Sequence, residues 1–309
     1  MKKIILLTDF SWDADHAIEY AMQWFSSSYN SGPLDFILVH VAPGVPAIPT
    51  YPFLTSMVSS DDLLKEETEQ LHAVCAHFST KFPHFKFREL LVIGEAAKSI
   101  CTTIHQEHPD LVVMGTKGFT GLTRMIMGST ALEVMRKAQC KMLIVPSGAT
   151  LDLPRKVVIG ANHLAPDQLH VLNPVKDMVE AWNPELEMVR VVTPRELDDI
   201  VDEVVVKRVE HFLNSKKLHF TTLQHVSAED GLEEFIESEK ANLLVLIGQE
   251  RGYLLNLIHH SVSKEMIIHA RVPVLILHDQ DWEELGERAG HDHELEQKLV
   301  GQEAGTFID

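Results

Sequence analysis

Two hydrophobic periods alternate along the first half of the chain. Short apolar-rich runs, Ile4 to Leu7, Phe36 to Val41, Phe87 to Val92, Leu111 to Met114 and Met142 to Val145, read as strands, and the nearly continuous apolar character of IILL, DFILV and DLVVM fits burial on both faces. Between them, Ala14 to Phe25, Asp61 to Thr80, Ala96 to Gln106 and Ser129 to Lys137 carry apolar residues three and four apart, the spacing of helices with one buried face. Strands alternating with helices predict an α/β fold, a parallel sheet covered on both sides. In such sheets ligands bind beyond the carboxyl ends of the strands, where the winding reverses.

The pattern then repeats. Lys2 and Lys3 before the first run are matched by Arg155 and Lys156 before Val157 to Ile159, an offset of 153. Ser129 to Pro146 aligns without gaps on Ser261 to His278 at an offset of 132, with Ser129, Glu133, Ala138, Leu143 and Ile144 identical in both. The chain is therefore a duplication whose second copy is shorter by 153 − 132 = 21 residues. Much of the difference is a Pro-rich stretch, Pro43 to Ser60, holding Tyr51, Phe53, Leu54 and Met57, whose side chains either fold back as core or line a pocket. The expected domains are residues 1–147 and 154–279. Residues 280–309 form an acidic tail: from Asp279 to Asp309 there are ten acidic against two basic side chains, the composition of a solvated segment.

After the fourth strand comes GTKGFTGLTRMIMGST: Gly115, two residues, Gly118, nine residues, Gly128, then Ser129 opening a helix. Glycines between a buried strand and a helix N-terminus build a phosphate cradle. Gly115 and Gly118 supply turns, and Gly128 lets backbone approach a ligand without a Cβ in the way. The first N–H groups of the helix, at Ser129 and Thr130, have no partner within it and carry the positive end of its dipole. Lys117 and Arg124 are the cations of the loop and can offset phosphate charge. Turn glycines with an ordinary helix cap explain the same spacing. No GxxxxGK followed by Ser or Thr occurs, and no GxGxxG follows the opening strand, so P-loop and dinucleotide-binding readings gain no support.

Those residues resemble the universal stress proteins in their tandem form over nearly residues 1–279. The resemblance rests on KKIILLTDFS at the start, ILVHV at the second strand, VIGEAAKSICTTIHQEHPDLVVMG, and above all the glycine loop followed by KMLIVP. It implies two tandem Rossmann-like domains of the adenine nucleotide alpha hydrolase-like kind, each a five-stranded parallel sheet of order 3-2-1-4-5 flanked by helices. It also implies that ATP, or AMP or ADP, with or without Mg, lies over the ends of the first and fourth strands. Asp9, with Thr8 beside it, would then sit near the nucleoside, and the backbone of Val41 would contact adenine. Met114 and Gly115 would pack against sugar and base, while Gly118, Gly128, Ser129 and Thr130 would hold the phosphates. Without the resemblance, an Asp just past a strand and before a helix reads as a helix cap. The family further implies pairing through the last strands, KMLIV in one copy and VPVLIL in the other, and a homodimer of the tandem chain as one possibility.

The second copy departs from this pattern. Asp9 becomes Asn162, the loop reads GQERGYLLNLIHHSV, Gly248 and Gly252 are four apart where Gly115 and Gly118 are three apart, and His260 replaces Gly128. With Gly248 aligned on Gly115 the second loop is one residue shorter. The expectation is a second domain that does not bind ATP through this signature and serves as a covalent partner for the first.

Composition narrows the rest. The 309 residues carry 45 acidic against 27 basic side chains, a formal charge of −18, and no basic stripe interleaved with aromatics, which argues against nucleic acid as a partner. The opening apolar run is interrupted at Thr8 and Asp9, too early for a signal core or a membrane span. Three widely spaced cysteines, Cys75, Cys101 and Cys140, suit a reducing cytoplasm, Cys75 and Cys101 reading as buried apolar groups on helices. His259 with His260, and His291 with His293 about Asp292, lack identifiable further ligands and read as surface histidines. No GxSxG occurs. The expected function is a nucleotide-dependent regulatory module of the stress response that signals to an unidentified protein partner. A slow ATPase, and a nucleotide-free scaffold or binder of a small hydrophobic ligand, stay open.

Overall fold

The computed structural model describes residues 2–27, 33–44, 60–116, 128–138, 140–160, 168–193, 203–248 and 271–278. In the first half β1 (Lys2–Leu7), α1 (Trp12–Ser27), β2 (Leu34–Ala42), α2 (Ser60–Lys81), β3 (Phe87–Ile93), α3 (Ala96–Glu107), β4 (Leu111–Gly115), α4 (Ser129–Lys137) and β5 (Met142–Val145) follow one another. The second half runs β6 (Lys156–Gly160), α5 (Asn173–Trp182) after a short 3-10 turn, β7 (Glu185–Val192), α6 (Glu203–Leu213), β8 (Leu218–Gln224), α7 (Ala228–Glu239), β9 (Leu243–Gly248) and β10 (Val274–His278).

All ten strands form one sheet of order β3-β2-β1-β4-β5-β10-β9-β6-β7-β8. Each half therefore has the order 3-2-1-4-5, with every pairing inside a half parallel. The halves join where β5 and β10 pair antiparallel, Leu143 opposite Leu275. That pairing covers two short apolar edges, MLIV and VLILH, that would otherwise be open to association with other chains.

One apolar cluster runs through both halves on the face covered by α1, α2, α5 and α6, with Ile4, Leu6, Phe36, Leu143, Val157, Leu243 and Leu275 among its strand members. Full burial of a side chain of this size stabilises by about 1.5–3 kcal/mol. Contacts between Trp24 and Trp182, edge to face with centroids 5.6 Å apart, and the 2.6 Å pair of Lys2 with Asp177 continue the join at the helices. Among the described residues no helix is long and apolar enough to cross a membrane.

The duplicate strands can be matched by their registers. Ile4 pairs with Leu111 and Val157 with Leu243, Val112 with Met142 and Leu244 with Val274. The offset of 132 therefore holds through β9 and β10, and Gly115 is matched by Ile247, Thr116 by Gly248. This corrects the alignment of Gly248 on Gly115 and the one-residue loop difference that followed from it. Hydrogen bonding along the sheet fixes the register, whereas sequence alignment favours pairing glycine with glycine.

Candidate functional site

The carboxyl ends of β1, β2 and β4 and the N-terminus of α4 enclose a cavity of about 190 Å³. At its first wall β1 leaves the sheet: the Thr8 N–H donates to Val39 O at 3.0 Å and Phe10 N–H to Thr8 Oγ1 at 3.0 Å. Phe10 has φ 61°, a left-handed conformation that costs a bulky residue about 1–2 kcal/mol. Asp9 Oδ1 accepts from the N–H and the hydroxyl of Ser11, and Ser11 Oγ in turn accepts from Ala14 N–H at 3.2 Å. Ser11 is thus the cap of α1, and Asp9 braces the cap instead of acting as one. Asp9 and Thr8 both line the cavity.

β4 forms the floor. A Cβ on Gly115 would lie 2.9 Å from Asp13 O, so this glycine is required by the close approach of α1 to the strand. It has no positive φ and is the last residue of β4. Thr116 N–H donates to Val145 O at 3.2 Å, and Gly128 N–H donates back to Thr116 O at 2.7 Å, which brings the two ends of the glycine loop together.

Gly128 differs from Gly115 in what it is for. Its φ −62° and ψ 150° suit any residue, and among the described residues a Cβ there would meet only Thr116 O, at an ordinary 3.7 Å. Among the described residues nothing requires a glycine here, and Gly128 lines the cavity. Behind it α4 begins without a side-chain cap, and its first i→i−4 bond runs from Leu132 N–H to Gly128 O. The N–H groups of Ser129, Thr130 and Ala131 precede that bond, and all three residues line the cavity. This arrangement is suited to an anion.

Of the residues singled out in the sequence, Thr8, Asp9, Val41, Met114, Gly115, Gly128, Ser129 and Thr130 line this one cavity. Lys117, Gly118 and Arg124 lie outside the described residues, as do Asn162, His259, His260, His291, Asp292, His293, and Tyr51, Phe53, Leu54 and Met57. Sequence reasoning missed His40. It lines the cavity 7% exposed, stacks on Phe10 with centroids 4.1 Å apart, and sets Nδ1 2.8 Å from Thr8 O and Nε2 3.0 Å from Glu67 Oε2. The available signal was a lone polar residue inside the apolar run FILVHV.

Other titratable groups bear on what the site can do. Burial raises the Asp15 carboxyl in the first turns of α1. It also pushes the Cys75 thiol up to about 11 and the Cys140 thiol up to about 12, and raises Cys101, so all three are thiols at neutral pH. Among the described residues no three His, Cys, Asp or Glu side chains gather as a metal site.

Residues 1–146 match the model of the universal stress protein family. A universal stress protein of Methanocaldococcus jannaschii is 31% identical over 150 residues, 47% of this chain and 81% of that protein. Among solved structures, a universal stress protein from Archaeoglobus fulgidus superposes with a TM-score of 0.67 at 17% identity, covering 89% of this chain and 95% of its own. A putative universal stress protein from Pseudomonas aeruginosa does so with a TM-score of 0.56 at 12% identity, covering 94% and 98%. These two likenesses concern the fold.

Proposed function

The chain belongs to the universal stress protein family, and from that premise we propose that its first half binds one adenine nucleotide, ATP or its AMP or ADP counterpart, as a regulatory ligand. The observation that carries this reading is Gly128: a residue that lines the cavity, that no described neighbour requires to be glycine, and that stands directly before three N–H groups free of helical bonds. Phosphate oxygens there would gain charge-assisted hydrogen bonds and the favourable end of the α4 dipole. The bound nucleotide supplies its triphosphate charge and its base; the chain binds and orients them. Asp9 lies on the wall where a ribose would rest, Val41 offers backbone to the base edge, and Met114 and Gly115 form an apolar floor for the ring. Lys117 and Arg124 are proposed to offset phosphate charge, with Gly118 in the same loop. The nucleotide state would be read by a protein partner, as a binding switch and not through turnover.

Quantifying adenine nucleotide released from freshly purified, denatured protein tests the reading, with Gly128→His prepared in parallel. About one nucleotide per chain, absent from the variant, is expected. None, even after incubation with excess Mg-ATP, sinks it.

A further inference from the structure

Three contacts converge on His40 and none of them is made to a ligand. Its Nδ1 faces the Thr8 carbonyl at 2.8 Å; a carbonyl only accepts, so Nδ1 carries the hydrogen. Its ring lies on that of Phe10, the interplanar angle 29°. Its Nε2 lies 3.0 Å from Glu67 Oε2, a carboxylate reaching in from α2. Thr8 and Phe10 flank Asp9 in sequence, and the turn they make is one a phenylalanine adopts only under constraint, since φ is 61°. The stack and the bond to Thr8 O act on that turn together with the Thr8 N–H bond to Val39 O, the Thr8 hydroxyl and the Asp9–Ser11 bonds.

Resting on the nucleotide reading above, we propose that His40 is a positioning residue: it clamps Thr8 and Phe10 through the Nδ1 bond and the ring stack, so that Asp9 is held at the cavity wall. The second half lends independent support, since there the strand register places Arg190 at the position of His40, and Asp9 is matched by Asn162. Acid and clamp are thus both absent from the copy whose sequence carries His260 where the first carries Gly128. A clamp of this kind works by preorganisation, sparing the ligand the cost of ordering the turn as it binds.

The test is a thermodynamic cycle read by calorimetric titration of the full chain with Mg-ATP, with the melting temperature recorded for each variant. Asp9→Asn keeps an oxygen for Ser11 but loses the charge. His40→Phe keeps the stack and loses the Nδ1 donor, and His40→Asn restores a donor near the place of Nδ1. His40→Phe should weaken binding about ten-fold, the worth of one hydrogen bond. It should cost much less in the Asp9→Asn background, because the two residues act as a unit, and His40→Asn should recover most of the loss. Additive losses, an unchanged affinity in His40→Phe, or no recovery in His40→Asn would overturn the clamp while leaving the nucleotide site standing. Wild-type protein that binds no nucleotide would overturn both.

Discussion

The two ends of the sheet have diverged at different rates between the copies. At the amino ends of the strands the duplication is preserved in two bonds: Lys3 pairs with Glu107 as Lys156 pairs with Glu239, and the Lys3 N–H donates to Asp110 as the Lys156 N–H donates to Asn242. At the carboxyl ends it is not. Met114 and Gly115 are matched by Leu246 and Ile247, and Leu7 and Ile100, which line the cavity, by Gly160 and Leu232. A Cβ on Gly160 would come within 3.1 Å of Leu246 and 3.3 Å of Leu232, so two leucines have closed over the strand end. Among the described residues the frame has been kept where it orders the strands, while at the carboxyl end of β6 two leucines occupy the space that the first copy leaves as cavity.

The largest effect should come from carrying the second copy's residue into the first copy's cradle. Gly128→His should weaken ATP binding more than about a hundred-fold, since it removes several charge-assisted hydrogen bonds at once. The melting temperature should barely move, because the backbone there is ordinary and a Cβ has room. A large loss of stability would mean that the glycine belongs to the fold, contrary to the geometry.

Gly115→Ile, which copies Ile247, should do the reverse. The new Cβ meets Asp13 O at 2.9 Å, backbone that cannot swing away, and the strain should cost about 1–3 kcal/mol of unfolding free energy in denaturant titration. The converse double change, Ile247→Gly with His260→Gly, should leave nucleotide stoichiometry at about one per chain, because Leu232 and Leu246 still fill the space over Gly160. Two per chain would show that the loop alone decides binding.

How these differences could be read before the structure was known depends on what fixes each of them. Ser129–Lys137 and Met142–Val145 are set by local signals, a glycine before a helix start and a branched apolar run, and both elements have the bounds expected from sequence. β2 starts earlier than its apolar run, at Leu34, because Lys2 of β1 lies opposite it in the ladder, and that is a tertiary cause. The same reason hid the match of Gly115 to Ile247. The cradle glycines were legible as spacing, but not their separate duties, since only coordinates show that a Cβ on one would strike Asp13 O at 2.9 Å while on the other it would meet Thr116 O at an ordinary 3.7 Å. His40 was illegible as part of the site because its partners Thr8 and Glu67 are distant in sequence and meet only when α2 packs on the sheet.

A smaller effect lies where β10 ends. His278 takes the place that Pro146 holds after β5, and burial pushes its imidazole down to about 4. A base kept neutral by burial contributes no penalty above its ordinary 6.5, but the unfolded chain gains a proton below that value, so stability falls from pH 6.5 toward 4. His278→Leu should remove that part of the acid limb and raise stability at pH 5 by about 1 kcal/mol. Equal slopes in both proteins would mean that the ring is solvated.

The smallest effect probes the end of the sheet that the copies share. Glu107 is held down at about 2 by its hydrogen bond to Arg88 and then by Lys3, whereas the matching pair of Lys156 and Glu239 has His219 at the register of Arg88. A carboxylate with a lowered folded pKa adds stability that is complete above its ordinary 4.5 and is lost as pH falls toward 2. Glu107→Gln should therefore be less stable than wild type at pH 7, by less than about 1 kcal/mol because Arg88 is half exposed and screened by solvent, and the gap should close on acidification. Glu239→Gln, without the guanidinium, should show a smaller gap. If the two variants lose equal stability at pH 7, then Arg88 adds nothing and the amino ends of the two halves are energetically the same frame.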